Sequence, residues 1–172
     1  MKSLLFSLFA LPILLLSQGQ APVNFNLPSG TDTSQFNSQD AKGKYIVLHF
    51  LLKTECPYCL KHTTEYLQEA HLFPDVIHLF IKPDKGYLIK EWAQKIPQQS
   101  DVPIYRDINA SLAKELNIPF GYAFHGQTVH YPALIILNKE GVEVFRYIGE
   151  DNTDRYTFSR FAKKMRTLQK TN

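Results

Sequence analysis

Cysteine is the scarcest informative residue of this 172-residue chain, which has only two, Cys56 and Cys59, in the motif Cys-Pro-Tyr-Cys. So few cysteines exclude the multi-bridge framework of small disulfide-rich secreted domains. A bridge between residues three positions apart would close a very short loop and would restrict the unfolded chain very little. A structural role therefore explains the pair poorly, and the pair predicts redox or metal chemistry.

The chain also lacks a surplus of charge of either sign. It has 19 Lys and Arg against 16 Asp and Glu, a formal net charge of +3, with both signs scattered along the sequence. This distribution predicts neither a nucleic-acid partner nor a membrane-binding face. No nucleotide, flavin or haem motif is present, so no cofactor is predicted and electrons are expected to pass through the cysteines alone.

Only one long apolar run occurs, and it lies at the start of the chain. The run Leu4–Leu16 follows a positively charged start and is shorter than the roughly 20 residues that a membrane span needs. It is typical of a signal peptide, predicted over residues 1–20. The protein is therefore expected to be exported, periplasmic or extracellular, with no stable membrane anchor after cleavage. An irregular lead-in is predicted over 21–44 and a single domain over 45–170.

Strands and helices alternate along the predicted domain. Buried strands are predicted at 45–52, 76–81, 102–105 and 133–137, a hairpin strand at 142–148, and helices at 60–71, 89–93, 110–116 and from about 152 onward. This order predicts an α/β fold with a central mixed sheet and helices on both faces. Residues 118–131 are predicted to form a loop, and a loop of that length in a compact domain is typically functional.

The Cys-x-x-Cys motif stands between a buried strand and an amphipathic helix. Pro57 suits the first helical turn, which places Cys56 at the N-cap beside unpaired backbone N–H groups. These donors and the helix dipole favour a thiolate, so Cys56 is predicted to be the nucleophile with the lowered pKa. Cys59, one turn further along, is predicted to be buried and protonated, and to resolve a mixed disulfide formed on Cys56.

This arrangement resembles the thioredoxin superfamily, in particular its redoxin-like branch of exported thioredoxin-like oxidoreductases and peroxiredoxins. The resemblance runs from Tyr45 to Leu168 and implies a thioredoxin-like fold with an extra helix–strand insertion around residues 85–105. It also implies an exported thiol–disulfide oxidoreductase that exchanges disulfides with partner proteins through Cys56 and Cys59. A separate redox partner, not identifiable from the sequence, would recycle the pair.

The same resemblance assigns the substrate side of the site. Pro132 matches the cis-proline that faces the active-site cysteines and presents the substrate backbone. Its neighbour Tyr131, and Tyr58 within the motif, are predicted to contact substrate. Together with Tyr122 and Phe124 these tyrosines could form an apolar rim for a partner protein. The alternative is that these rings are ordinary core and loop aromatics.

His49 lies among apolar residues at the strand position where thioredoxins carry a buried Asp that serves proton transfer. Allowing one extra residue before the cysteine, His49 is predicted either to relay protons for Cys59 or to be a buried neutral histidine with a backbone partner. Both interpretations stay open at this stage.

Two other functions also stay open. A thiol peroxidase would use Cys56 against peroxide, but peroxiredoxins carry a Thr three positions before that cysteine and a nearby Pro, and here that position is Lys53. A copper metallochaperone would use both cysteines and a histidine, since thiolates suit Cu(I). Its candidate ligands are His62, His125 and His130, although copper-chaperone relatives separate their cysteines by three residues. No metal site is therefore predicted.

Overall fold

The computed structural model describes residues 20–97 and 103–170. The predicted signal peptide, residues 1–20, lies outside this range except for its last residue. Within the described part of the chain, no helix is long and apolar enough to cross a bilayer.

Nine strands and four helices make up the described fold, numbered here in chain order. The strands are β1 (Asn26–Pro28), β2 (Gln35–Asn37), β3 (Tyr45–Phe50), β4 (Val76–Lys82), β5 (Ile104–Arg106), β6 (Phe120–Phe124), β7 (Gln127–His130), β8 (Ala133–Leu137) and β9 (Glu143–Ile148). The helices are α1 (Pro57–Glu69), α2 (Gly86–Ala93), α3 (Ser111–Glu115) and α4 (Phe158–Leu168). The final helix begins at Phe158, later than the sequence predicted, and α2 with β5 forms the predicted helix–strand insertion.

Five strands form the central mixed sheet in the order β5-β4-β3-β8-β9. Strand β3 pairs parallel with β4 and antiparallel with β8, while β4 pairs parallel with β5. All six residues of β3 and all five of β8 are buried, as their near-continuous apolar sequences predict for strands covered on both faces. The predicted central mixed sheet is therefore confirmed.

Side chains alternate across the sheet into two separate cores. One core holds α1, α2 and α4 against the sheet, and α4 contributes Phe158, Phe161, Ala162 and Met165 to it, as its helical spacing predicted. The other core packs α3 and the N-terminal strands on the opposite face. Helices thus cover both faces of the sheet.

Two segments differ from the sequence prediction. Residues 21–44 are not irregular: β1 and β2 pair antiparallel, and Phe25 and Leu27 are buried in the second core. Residues 118–131 are not a loop either, because β6 and β7 form an antiparallel hairpin whose turn carries positive φ at His125 and Gly126. Neither segment shows the alternation of apolar and polar residues that would have predicted a strand.

The parallel pairing of β3 and β4 positions the functional residues. Both strands end at the same edge of the sheet, and the Leu51 N–H extends the pairing by donating to the Ile81 carbonyl at 2.8 Å. The chain then passes through residues 51–56 into α1. Side chains that follow the two strands therefore meet at the start of α1.

Candidate active site

The two cysteines lie at the start of α1, beyond the carboxyl end of β3. Cys56 is the N-cap residue, and its Sγ accepts a hydrogen bond from the Cys59 backbone N–H at 3.3 Å. Pro57 occupies the first turn, where its missing N–H leaves no bond unmade. Cys56 is half-buried, whereas Cys59 is fully buried and accepts a hydrogen bond from the Leu52 N–H at 3.2 Å. The pair thus has one accessible and one inaccessible sulfur, as the sequence predicted.

A single guanidinium contacts both sulfurs. Arg155 Nη2 lies 3.3 Å from Cys56 Sγ and 3.3 Å from Cys59 Sγ. The arginine belongs to the connection between β9 and α4, and its Nη1 donates to the Asp154 carbonyl at 2.8 Å and to the Asn152 carbonyl at 3.3 Å. These contacts hold a positive charge beside whichever sulfur is ionised, because charge-assisted hydrogen bonds favour the ionised form.

A second cation lies beneath the dithiol. Lys82, the last residue of β4, is fully buried; its Nζ donates to the Leu52 carbonyl at 2.7 Å and lies 4.1 Å from the centre of the Trp92 ring. Burial lowers the pKa of Lys82, and the negative charge of ionised Cys59 acts in the opposite direction. Lys82 and Cys59 therefore stabilise each other's charged forms.

The two thiols ionise as a coupled pair. Burial opposes ionisation of Cys59, but its hydrogen bond with Cys56 and the charges of Lys82 and Arg155 outweigh it and lower the pKa of Cys59 to about 6. The hydrogen bond with Cys59, followed by burial, raises the pKa of Cys56. The reduced pair therefore holds one proton at neutral pH.

The hydrogen bond with the Cys59 thiol and burial oppose the predicted lowering of the Cys56 pKa, whereas the Cys59 backbone N–H and Arg155 act in the predicted direction. The physical reason for that prediction was the helix N-terminus, which does act on Cys56 through the Cys59 N–H. The sequence could not reveal the cations that favour charge on Cys59.

An open groove of about 290 Å³ leads to Cys56. Its walls are mostly apolar and come from the residues after β3, from the start of α1, from β6 and from the β9–α4 connection. The lining residues are Leu52, Lys53, Glu55, Cys56, Pro57, Tyr58, Tyr122, Phe124, Asn152 and Thr153. Tyr58 is 48 % exposed and Phe124 is 36 % exposed, so aromatic surface faces solvent next to the accessible sulfur.

A buried ion pair fixes one wall of this groove. Lys53 Nζ lies 3.1 Å from Asp84 Oδ1, and both side chains are buried. The ammonium also donates to Gln127 Oε1 of β7 and lies 5.3 Å from the centre of the Phe124 ring. Lys53 thereby ties the β6–β7 hairpin to the segment that carries the cysteines.

The predicted substrate-side residues separate in the structure. Tyr58 lines the groove, together with Tyr122 and Phe124 of the predicted rim. Tyr131 instead lines a different, small cavity beside the ends of β3 and β4, and its N–H donates to the Pro119 carbonyl. The predicted rim therefore includes three of its four aromatic residues.

Pro132 does not carry the predicted cis bond. The residues described, 20–97 and 103–170, contain no cis peptide bond, so the Tyr131–Pro132 bond is trans. Pro132 is buried, its carbonyl accepts from the Gly149 N–H at 2.8 Å, and it is absent from the groove lining. The Pro132 carbonyl thus extends the pairing of β8 with β9 by one hydrogen bond.

His49 belongs to a chain of three buried histidines. His49 Nδ1 lies 2.9 Å from His62 Nε2, and His49 Nε2 lies 3.0 Å from His78 Nδ1. Burial and the neighbouring rings lower the pKa of His49 well below its ordinary value, so the ring is neutral. Both ring nitrogens are bonded to histidines, so the partners of His49 are side chains rather than the backbone group that the second interpretation expected. A proton relay from His49 to Cys59 stays a prediction. The charged groups beside Cys59 are Lys82 and Arg155.

The candidate metal-ligating histidines do not converge on the cysteines. His62 is bonded to His49, His130 Nδ1 lies 2.6 Å from the Ile118 carbonyl, and His125 stacks on Phe124 at the hairpin turn. Over residues 20–97 and 103–170, no group of three or more His, Cys, Asp or Glu side chains is placed to hold a metal ion.

Sequence reasoning missed both cations of the site. Arg155 lies 99 positions from Cys56, and nothing in its local sequence distinguishes it from other surface arginines. Lys82 carried a weak signal, because it directly continues the buried run of β4 beside the strand that precedes the motif. A lysine in that position is unusual, since lysines are almost never fully buried without a partner.

Comparison with known proteins gives a family and a fold. The model of the AhpC/TSA family matches residues 18–144. No curated protein matches the chain significantly.

Solved structures with the same fold include AhpC of Enterococcus faecalis, with a TM-score of 0.70 and 18 % identity over 88 % of this chain and 91 % of that one. A peroxiredoxin-like protein from Aquifex aeolicus has a TM-score of 0.74 and 15 % identity over 87 % and 86 % of the two chains. MTB dsbF has a TM-score of 0.64 and 19 % identity over 84 % and 94 %. At these identities the structural matches establish the thioredoxin-like fold.

Proposed function

The chain belongs to the AhpC/TSA family of redox thiol proteins, and from that premise we propose that it is a thiol–disulfide oxidoreductase working through Cys56 and Cys59. Its substrates are protein thiols or disulfides that enter the groove in front of Cys56. The observation that carries the proposal is the contact of one guanidinium with both sulfurs, 3.3 Å from each. A one-cysteine mechanism gives no reason for the cation to stabilise the second, fully buried sulfur.

The exchange runs in two balanced steps. As Cys56 attacks one sulfur of a substrate disulfide, its proton passes to Cys59, and the other substrate sulfur leaves as a thiolate. Cys59 then gives that proton to the released substrate thiolate and attacks Cys56 Sγ, which releases the first substrate sulfur as a thiolate and closes the Cys56–Cys59 bridge. Two electrons move from the protein to the substrate. The reverse sequence oxidises a substrate dithiol.

The groove supports a polypeptide substrate. Its walls are mostly apolar, and the exposed rings of Tyr58 and Phe124 stand next to the accessible sulfur. Aromatic side chains of this kind supply much of the contact energy in protein interfaces. We place Tyr58 among the substrate contacts together with Tyr122 and Phe124, and no longer place Tyr131 or Pro132 there.

The setting proposed for this activity is outside the cytoplasm. The sequence of residues 1–20 supports export, where protein disulfides form and persist. Recycling then requires a second redox protein or small thiol that resets the Cys56–Cys59 pair.

The direct test is trapping with Cys59→Ser. This variant forms the mixed disulfide on Cys56 but has no thiol to release it, so a disulfide-containing protein substrate should accumulate as a covalent complex that dithiothreitol dissolves. Cys56→Ser is the matched control and should trap nothing. If Cys59→Ser turns over substrate like the unsubstituted protein, the two-cysteine mechanism is wrong.

A thiol peroxidase is the second candidate, favoured by the family match and the peroxiredoxin-like neighbours. In that reaction Cys56 attacks a hydroperoxide, which leaves as an alcohol or water while Cys56 becomes a sulfenic acid. Against it, Lys53 occupies the position three before Cys56 and its ammonium is engaged by Asp84. Peroxide consumption by Cys59→Ser with an external thiol distinguishes the two: a one-cysteine peroxidase retains it, whereas the exchanger does not.

A further inference from the structure

The net charge around the two cysteines changes when the Cys56–Cys59 disulfide forms. In the reduced pair, Leu52 N–H and Arg155 donate to the Cys59 sulfur, and the Lys82 ammonium donates to the carbonyl of the same Leu52. Closing the bridge removes the single negative charge of the pair but leaves the two cations in place. Interactions with an ionised sulfur are therefore available only to the reduced state.

Over residues 20–97 and 103–170, neither cation forms an ion pair with a carboxylate. Arg155 makes its other hydrogen bonds to backbone carbonyls, and Lys82 Nζ bonds the Leu52 carbonyl and faces the Trp92 ring. Burial lowers the pKa of Lys82; ionised Cys59 is the strongest influence that raises it, and the Asp84 carboxylate, whose Oδ1 is paired with Lys53, is the next. A fully buried ammonium that loses its anionic neighbour is costly, because desolvation is no longer offset.

From this imbalance we propose that the protein is a disulfide donor: it oxidises protein dithiols and is itself reduced. The proposal rests on the proposed exchange function and adds its direction. Stabilising the reduced form of a dithiol raises its reduction potential, which is the property that makes an exchanger an oxidant.

The reaction steps use the same residues. A substrate thiolate attacks Cys56 Sγ of the closed bridge, and Cys59 leaves as a thiolate. Leu52 N–H, Arg155 and Lys82 surround that leaving sulfur, so it is a good leaving group. The second substrate thiolate then attacks its own partner sulfur and displaces Cys56, which takes up a proton. Two electrons pass from the substrate to the protein, one proton remains on the pair and the other goes to solvent.

The substrate class follows from this direction. It consists of unfolded or newly exported polypeptides with two free cysteines, presented in extended segments that reach the groove beside Tyr58 and Phe124. The reaction that resets the protein must belong to the opposite class, oxidation of the Cys56–Cys59 dithiol by a disulfide. Oxidised glutathione serves as the probe for that class.

The experiment measures the equilibrium constant for oxidation of the dithiol by oxidised glutathione, using the full mature chain and a thioredoxin in the same buffers. We expect this equilibrium constant to be more than tenfold smaller than that of thioredoxin, because the cations stabilise the reduced form. Lys82→Met and Arg155→Met should each raise the constant about tenfold, equivalent to about 30 mV for this two-electron couple. Lys61→Met, which removes an exposed cation from the same helix α1, should change it less than twofold.

Other results would contradict either the direction of the reaction or the exchange function. A constant within tenfold of thioredoxin, or larger, overturns the direction while leaving the exchange function intact. An unchanged equilibrium constant in both Lys82→Met and Arg155→Met also overturns the direction, since the cations would then not stabilise the reduced form. Arg155 is half-buried, so its variant keeps the test available if Lys82→Met does not fold. If the unsubstituted protein shows no reversible transition at all, the exchange function itself is wrong.

Discussion

At the scale of single residues, the chemistry depends on where the one negative charge of the reduced pair resides. Arg155 contacts both sulfurs. Against burial, the hydrogen bond with Cys56, then the charge of Lys82, then that of Arg155 lower the pKa of Cys59 to about 6. A thiol titrating in this range is ionised at neutral pH, unlike a free cysteine with a pKa of about 8.5.

The thiolate should therefore be visible in the ultraviolet. We expect the absorbance of the reduced protein at about 240 nm to rise with a midpoint near pH 6. Arg155→Met should move that midpoint upward by about 1 unit or more, because an opposite charge in contact is removed. Arg160→Met, which alters an arginine over the rings of Tyr147 and Tyr156, should leave the midpoint in place. A midpoint above pH 8 in the unsubstituted protein would contradict the assignment.

The histidine chain makes the protein sensitive to acid. Burial is the first cause that lowers the pKa of His62 to about 3 and of His78 to about 4, and it also lowers that of His49. Since the unfolded chain takes up protons near pH 6.5 and the folded chain does not, stability is full above pH 6.5 and falls as the pH drops toward 4.

Urea unfolding at a series of pH values tests this. Each buried histidine contributes a slope of about 1.4 kcal/mol per pH unit between pH 6 and about pH 4.5. His78→Asn should reduce the slope of unfolding free energy against pH by the contribution of one histidine. His71→Asn, at an exposed position, should leave the slope unchanged. A flat profile in this window would mean that the three rings charge freely in the folded protein.

At the scale of secondary-structure elements, the sequence predicted what apolar patterning controls and missed what polar contacts control. The strands Tyr45–Phe50 and Ala133–Leu137 and the apolar face of the last helix follow directly from runs and spacing. The hairpin at 120–130 was missed because its residues are exposed or half-buried, apart from Val129, and show no alternation. That hairpin contributes one wall of the site, so the error was functional as well as structural.

Contact between this hairpin and the cysteine segment depends on a buried ion pair. Lys53→Met leaves the Asp84 carboxylate buried without its cation, and we expect a loss of about 3 to 5 kcal/mol in the free energy of unfolding. Adding Asp84→Asn in the same chain should restore most of that loss, because the uncompensated charge is gone. Additive losses in this double-mutant cycle would show that the two side chains do not interact.

At the scale of the whole molecule, the site is assembled from segments that are far apart in sequence. Two parallel strands end together and deliver the cysteine segment and Lys82, while the connection before α4 delivers Arg155. The motif, the N-cap geometry and the burial of Cys59 were predictable because they are local. Arg155 was not predictable, because no local pattern records a contact across 96 or 99 positions.

This assembly also links the redox state to global stability. The folded protein lowers the pKa of Cys59 from 9.0 to about 6, and unfolding removes that effect. A depressed folded-state pKa adds stability to the reduced form above the unfolded pKa, and that stability is lost as the pH falls through about 6. The upper limit is about 4 kcal/mol near pH 9, from three units at about 1.4 kcal/mol each.

We therefore expect the reduced protein to unfold at higher urea concentration than the oxidised protein at pH 8, and the difference to shrink toward pH 5. Unfolding curves recorded with and without dithiothreitol at both pH values measure this. The Cys56→Ser and Cys59→Ser double variant supplies the control and should respond to pH without responding to dithiothreitol. An oxidised form as stable as the reduced form at pH 8 would mean that Leu52, Lys82 and Arg155 do not favour the thiolate, and the disulfide-donor direction would lose its physical basis.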